Sequence, residues 1–119
     1  MSEKAIDFDF DNFDEEAALV AAAEDVGVKT AFGGGVFAGK FRDGTVVRIP
    51  LEVPKKLVAG LGDEFEQLAP DDQLLELLRA MGLGDRADAV LRQGMIAAVV
   101  FASRFFETLT KVTKVALGE

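Results

Sequence analysis

The sequence predicts an α+β fold that is mainly α, with a short β-hairpin followed by several short helices and one long C-terminal amphipathic helix. Two observations favour this class. In residues 36 to 51, VFAGKFRDGTVVRIPL, the pair Asp43-Gly44 separates two runs rich in valine, isoleucine and phenylalanine, which is a strong hairpin signal. In residues 85 to 117, apolar side chains recur at helical spacing. The hairpin is expected at about residues 35 to 50.

Length and composition favour one small domain that has a partner. A chain of 119 residues fits a single domain, and we expect residues 1–13 to be an acidic, flexible N-terminal segment and residues 14–119 to be the domain. The chain is 50% hydrophobic, although a domain of this size buries only about 60 to 70% of its unfolded surface. We therefore expect a homo-oligomer or an obligate partner protein.

The net charge of −8 is unevenly distributed, and the placement of the charges argues against nucleic-acid binding and against a signal peptide or membrane span. Residues 1 to 34 carry nine acids and two bases, whereas residues 90 to 119 carry four bases and two acids. Nucleic-acid binding is not expected, because it requires a basic stripe. The acidic N-terminus lacks the features of a signal peptide, and charged residues interrupt the apolar run that starts at Met95, so we expect a cytoplasmic protein that does not enter a membrane.

The first 25 residues combine a period-two pattern with a helical one. Ile6, Phe8 and Phe10 alternate with aspartates, which suits a strand with one apolar face. Because the aspartates repel one another, we expect this stretch either to become ordered on contact with a partner or to remain a flexible acidic tail. A short helix is predicted from Asp14 to Asp25, with Gly27 placed to end it.

Glycine and proline divide the middle of the chain into short elements. Three glycines, at positions 33 to 35, are expected to give a flexible approach or a bulge before the hairpin. Short helices are then predicted at 54 to 61 and at 63 to 68, the second opened by Asp63 and Glu66 at capping-box spacing. A third helix is predicted to begin at Pro70, to carry leucines on one face, and to end before Gly82.

The last helix is predicted to begin at Asp85 and to contain the main apolar seam of the chain. Eight apolar residues define this seam: Leu91, Met95, Ala98, Ala102, Phe105, Leu109, Val112 and Ala116. Gly94 is unfavourable inside a helix by about 1 kcal/mol relative to alanine, so a kink or a close helix crossing is possible there. Phe105 and Phe106 point about 100° apart, so a small domain is expected to leave one of them for a partner.

No active site is legible in the sequence. Residues 34 to 40, GGVFAGK, match part of a phosphate-binding loop, but Phe41 stands where a Ser or Thr should follow, and a hairpin follows in place of a helix. The chain has no histidine and no cysteine, the usual general base and the usual strong nucleophile. We expect no enzyme activity, no cofactor and no metal site.

The order of features resembles that of the tail assembly chaperones of long-tailed, siphovirus-type actinobacterial phages. FDFDNFDEEAALVAAAE is followed by a hairpin ending VVRIPLEVP, by leucine-rich short helices, and by an amphipathic helix that closes on ALGE. The resemblance implies a non-enzymatic protein of the host cytoplasm that keeps the tape measure protein soluble while tail tube subunits polymerise around it. It does not lead us to expect the glycine-rich stretch AFGGGVFAGKF.

The leading interpretation is therefore a tail assembly chaperone that binds tape measure and tail tube proteins through apolar helix surfaces. Seven residues are predicted to contact the client or a second copy: Phe8, Phe10, Met95, Val99, Phe105, Phe106 and Leu109. One alternative is a structural virion component, either a head-tail connector or a capsid-associated protein. Another is a small acidic inhibitor that mimics nucleic acid.

Overall fold

The structure, a computed structural model, describes residues 8–118. The elements in chain order are α1 (Glu15–Asp25), β1 (Lys29–Gly33), β2 (Val36–Lys40), β3 (Val46–Pro50), α2 (Lys55–Ala59), a 3-10 helix (Asp63–Gln67), α3 (Pro70–Ala80), α4 (Gly84–Leu91) and α5 (Met95–Ala116). The predicted class, α+β and mainly α, is confirmed. Ile6 and Asp7 of the alternating N-terminal pattern lie outside the described residues.

Local signals place the first helix as predicted. The side chain of Asp14 caps α1 by accepting a hydrogen bond of 3.2 Å from the backbone N–H of Ala17. Glu15 and Glu16 occupy the first turn, where the helix dipole favours acids. After α1, Gly27 adopts a φ of +72°, a conformation that redirects the chain toward the sheet.

The sheet contains one strand more than the sequence predicted. Its strand order is β1-β2-β3 and both pairs are antiparallel, so β1 extends the predicted hairpin to a three-stranded meander. Gly34 and Gly35, interpreted as a flexible approach, form the two-residue turn between β1 and β2, with φ values of +59° and +79°. Two consecutive positive φ values define the tight hairpin turn that suits the twist of the strands.

The predicted hairpin is confirmed, and its turn is one residue longer than Asp-Gly alone. The N–H of Phe41 donates to the carbonyl of Thr45 at 2.9 Å, which leaves a three-residue loop from Arg42 to Gly44. Gly44 takes a φ of +91° at the last loop position, as three-residue hairpins require. The predicted pair Asp43-Gly44 therefore forms the turn together with Arg42.

The helices cover one face of the sheet, and phenylalanines join the two layers. Phe37 on β2 is buried against Phe101 and Phe105 of α5, with ring centroids 5.6 and 5.5 Å apart. Phe41 adds a third ring, 5.2 Å from Phe101. Gly39 lies between Phe37 and Phe41 on β2, and the ring of Phe101 rests directly on its backbone. The rest of the core comes from β3, α3, α4, the first half of α5 and the residue before β1: Val47, Ile49, Leu74, Leu75, Leu77, Leu78, Ala87, Val90, Ala97, Ala98, Ala102 and Val28.

The last helix begins at Met95 and not at Asp85 as predicted, and the kink or crossing considered at Gly94 is a break between two helices. The chain leaves the helix after Leu91, and Gly94 is the extended N-cap residue of α5, with ψ of 154°. The break turns Leu91 and Met95 out of the predicted seam, so both are exposed. The capping box at Asp63 and Glu66 is also absent, because Gly62 precedes the 3-10 helix and no side chain caps it.

The contact between Gly39 and Phe101 leads to a stability prediction. A Cβ atom at position 39 would overlap ring carbons Cδ1 and Cε1 of the buried Phe101. We expect Gly39→Ala to lower the free energy of unfolding by about 1 to 3 kcal/mol, as overpacking does. Gly33→Ala on β1 is the matched control, since no atom would lie within 4 Å of its Cβ. Urea denaturation of both variants measures the difference, and equal stabilities would contradict the packing described.

A second prediction concerns the hairpin turn. Asp43 accepts hydrogen bonds from the N–H of Thr45 at 2.8 Å and from Nε2 of Gln93 at 3.3 Å, the latter tying the turn to the connection between α4 and α5. These bonds, chiefly those from Thr45, lower the pKa of Asp43 below its usual 3.8. The carboxylate therefore stabilises the fold above the unfolded pKa, and this contribution disappears as the pH falls through the folded value.

We expect Asp43→Asn to lower the thermal unfolding midpoint at pH 7 and to match the wild type once the wild-type carboxyl is protonated, well below pH 3.8. The control is Asp88→Asn on α4, whose carboxylate accepts no hydrogen bond within residues 8–118. Thermal denaturation followed by circular dichroism between pH 2 and 7 is the measurement. If the unfolding midpoints of Asp43→Asn and the wild type differed by the same amount at every pH, the stabilising role of the Asp43 carboxylate would be contradicted.

Candidate partner-binding surfaces

The seven residues predicted to contact a partner do not form one surface. Phe105 is a correction: it is fully buried between Phe37 and Phe106, so it belongs to the core and cannot contact a partner in this fold. Phe106 is half-buried and packs edge-on against Phe105 at 5.2 Å. The periodicity gave the angle between the two rings, but only the position of the sheet decides which ring is covered.

Four of the remaining residues lie along one side of α5. At 100° per residue, Met95, Val99, Phe106 and Leu109 fall within about 80° of one another around the helix axis. Met95 is 78% exposed, and the other three are half-buried. Phe106 and Leu109 pack against the core at their inner edges. This side of α5 is therefore open at its N-terminal end and partly covered further along.

The open end is a corner between α4 and α5 with a cleft on either side. We define the corner as residues 91 to 96; its exposed apolar side chains are Leu91, Met95 and Ile96. A cleft of about 450 Å³ on one side is lined by Val26 and Phe41, among others, and a second of about 250 Å³ on the other by Leu75 and Val90. Met95 lines both clefts. The sequence singled out Met95 and indicated a kink or a close crossing at Gly94, but it did not predict that residues 84 to 91 form a separate helix.

The end of α5 extends beyond the residues that it helps to bury. Every residue from Thr110 to Gly118, which we call the arm, is exposed. Phe105, Leu109, Val112 and Ala116 lie within about 60° of one another around the axis. The face that is core at Phe105 thus continues along the arm, where Val112 is 38% exposed and Ala116 is also exposed. Val115 and Leu117 add apolar surface there, at 75% and 70% exposure.

The N-terminal part of the chain is also weakly attached to the domain. None of the residues of α1 is buried, and its main contacts are with α5. Leu19 and Val20 of α1 are both exposed, as are the predicted contact residues Phe8 and Phe10. The radius of gyration is 16.7 Å, whereas a compact chain of this length would have about 13 to 14 Å. The N-terminal part of the chain therefore exposes apolar side chains, and the molecule is more extended than a compact chain of this length.

Few charged contacts hold these elements in place. Nη1 of Arg104 on α5 donates to the carbonyl of Val28 at 2.7 Å and so links α5 to the chain entering β1. On the exposed side of α5, Nζ of Lys111 donates to Glu107 at 2.9 Å, and this hydrogen bond lowers the pKa of Glu107. An exposed pair at this helical spacing contributes little to stability. The arm is therefore available to a partner without the loss of a strong internal contact.

The fragment that resembles a phosphate-binding loop has a different role. Gly34 and Gly35 form the β1–β2 turn, and residues 36 to 40 form β2, so no helix follows whose N-terminal amides could hold a phosphate. Within residues 8–118, no three His, Cys, Asp or Glu side chains are grouped so that they could hold a metal ion. No helix in the same part of the chain is long and apolar enough to cross a membrane.

Comparisons of this chain with protein-family models, with curated proteins and with solved structures find no match.

Proposed function

We propose that this protein is a non-enzymatic assembly factor that binds an apolar helix of a client protein through the uncovered surface of α5. The observation that carries the proposal is the continuation of the core face of α5 along the arm, where Val112 is 38% exposed and Ala116 is also exposed. An exposed apolar face of this kind is typical of a protein–protein contact surface.

The arm suits a helical client better than a flat surface. Its apolar side chains recur at steps of three and four residues, so a second amphipathic helix could pack along them with its own anchors at the same spacing. Lys111 is exposed, lies about 40° from Val115 around the helix axis, and would favour an acidic residue at the edge of the client helix. The net charge of −8 would keep a complex with an apolar client soluble.

The resemblance in layout to tail assembly chaperones names a specific client. It is supported by the order of the acidic phenylalanine-rich segment, α1, the hairpin ending VVRIPLEVP, the short helices and the closing amphipathic helix. On this proposal the client is a tape measure protein, whose long apolar helices need cover before tail tube subunits assemble around them. The protein would act in the cytoplasm of an infected cell, as a homo-oligomer or bound to its client.

The open edge of the sheet favours one alternative function, a structural virion component. Within residues 8–118, β1 pairs only with β2, so in this part of the chain its outer edge is open to pairing with another chain. Repeated around an axis, such pairing would build a ring of the kind found in connectors. The two functions differ in one observable. A chaperone should be absent from purified particles, and a connector should be present in them at a fixed copy number.

The chaperone proposal is tested by coexpression with a tape measure protein. We expect the wild type to raise the soluble fraction of the tape measure protein and to co-purify with it. Val112→Gln with Val115→Gln should weaken co-purification about tenfold or more, since each valine would bury an apolar side chain in the complex. Because both residues are exposed and glutamine is a good helix former, the free energy of unfolding should change by less than about 0.5 kcal/mol.

Thr110→Gln is the matched control, because it lies on the opposite side of the same exposed arm. It should leave co-purification unchanged. Equal loss of client with the control and with the double variant would contradict the assignment of the arm. The absence of any effect of the wild type on the client would contradict the chaperone proposal itself.

A further inference from the structure

The outward face of the sheet carries positive charge in a strongly acidic protein. Strand alternation places one face against the helices and the other, which we call the outer sheet face, toward solvent. Cross-strand pairing arranges its nine residues in three rows: Lys29, Lys40 and Val46; Ala31, Ala38 and Arg48; Gly33, Val36 and Pro50. Three of the nine are cationic and none is acidic, although the chain has 21 acids and 13 bases.

The cations on this face are placed unfavourably for an isolated domain. Lys29 and Lys40 are direct cross-strand partners, and like charges at such positions destabilise a sheet. Arg48 lies on the next strand, one row away. Neither lysine nor Arg48 forms a salt bridge within residues 8–118. An anionic group bound on this face would relieve the repulsion.

The same face has room for large apolar side chains. Ala31 and Ala38 face each other in its central row, and Gly33 lies beside Val36 in the last. Two shallow depressions, of about 190 and 290 Å³, follow these small residues along β1 and β2. The helices pack on the opposite face, so the depressions are open to solvent. We call the two depressions over Ala31 and Ala38 the trough. The cations Lys29, Lys40 and Arg48 lie around it.

The N-terminal segment, residues 8 to 14, has the complementary composition. It contains three phenylalanines that are 68, 87 and 64% exposed, at positions 8, 10 and 13, and three aspartates, at positions 9, 11 and 14. The rings of Phe8 and Phe10 lie on the same side, 6.1 Å apart. Asp9 accepts hydrogen bonds from the N–H groups of Asp11 and Asn12, which shapes the segment into a local turn.

We propose that the N-terminal segment of one copy docks on the outer sheet face of a second copy, and that the exchange is reciprocal. The phenylalanines fill the trough over Ala31 and Ala38, while Asp9 and Asp11 approach the cations. A second copy is the occupant because the segment leaves its own domain through α1 with all three rings exposed. Two reciprocal contacts close a two-fold dimer and leave no segment free to add further copies.

This dimer does not depend on the client proposed for α5. The arm is not part of either contact, so it remains available in the dimer. Charge pairs at the edge of the trough should make association weaken as salt rises, because screening acts on exposed charges. Dimerisation through the arm would instead be insensitive to changes on the sheet.

The test compares the self-association of two full-length double variants by sedimentation equilibrium. Lys40→Glu with Arg48→Glu reverses two charges on the outer sheet face, and position 40 then pairs favourably with Lys29, so the domain should remain folded. We expect the dimer dissociation constant to rise at least about tenfold. Lys55→Glu with Lys56→Glu on α2 makes the same change in net charge at exposed positions and should leave dimerisation within about twofold of the wild type.

Two results of the sedimentation experiment would overturn the proposal. One is equal dimerisation by the outer-face variant and the wild type; the other is a mass of 12.7 kDa for the wild type at every concentration up to about 1 mM.

The docking site is mapped by adding unlabelled wild type to a ¹⁵N-labelled Phe8→Ser, Phe10→Ser variant, whose sheet is intact. Amide shifts at Lys29–Gly33 and Val36–Lys40 are expected, and shifts confined to α5 would assign the contact to the arm and overturn the proposal.

Discussion

The packing of Phe101 on the backbone of Gly39 is the contact on which the rest of the structure depends. It brings α5 so close to β2 that no Cβ fits between them, and it places Phe37 and Phe41 on either side of the same ring. The sheet alone has three strands of five residues, too little to be stable without a second layer. The aromatic contacts provide that layer and fix which side of α5 faces inward.

Once that side is fixed, the length of α5 determines what remains exposed. The helix has 22 residues and would span about 33 Å, but full burial ends at Phe105. The core face continues into the arm because the sequence keeps its helical period after the layer beneath it has ended. The large apolar fraction of this small protein is thus divided between a core around Phe101 and surfaces on the arm, the corner and the N-terminal segment.

Elements with strong local signals were predictable from the sequence. The cap at Asp14, Pro70 at the first position of α3 and the Asp43-Gly44 turn each act through neighbours in the chain. β1 was missed because Gly34 and Gly35 were interpreted as a flexible approach, although together they can form a tight turn. Gly94 indicated a kink or a close crossing, but the full break before α5 was not predicted, because α4 is itself helical and the apolar period continues through it. Phe105 was assigned to a partner because periodicity gives angles between side chains and not the position of the sheet.

The α5 helix belongs to the core up to Leu109, and we propose that its exposed last turns bind a client helix. Native-state amide hydrogen exchange on the isolated monomer tests this claim most directly, because protection reports the free energy of local opening residue by residue. We expect amides from Ala97 to Leu109 to exchange only through global unfolding, whereas those from Val112 to Leu117 should exchange orders of magnitude faster. Equal protection along the whole helix in the monomer would contradict it.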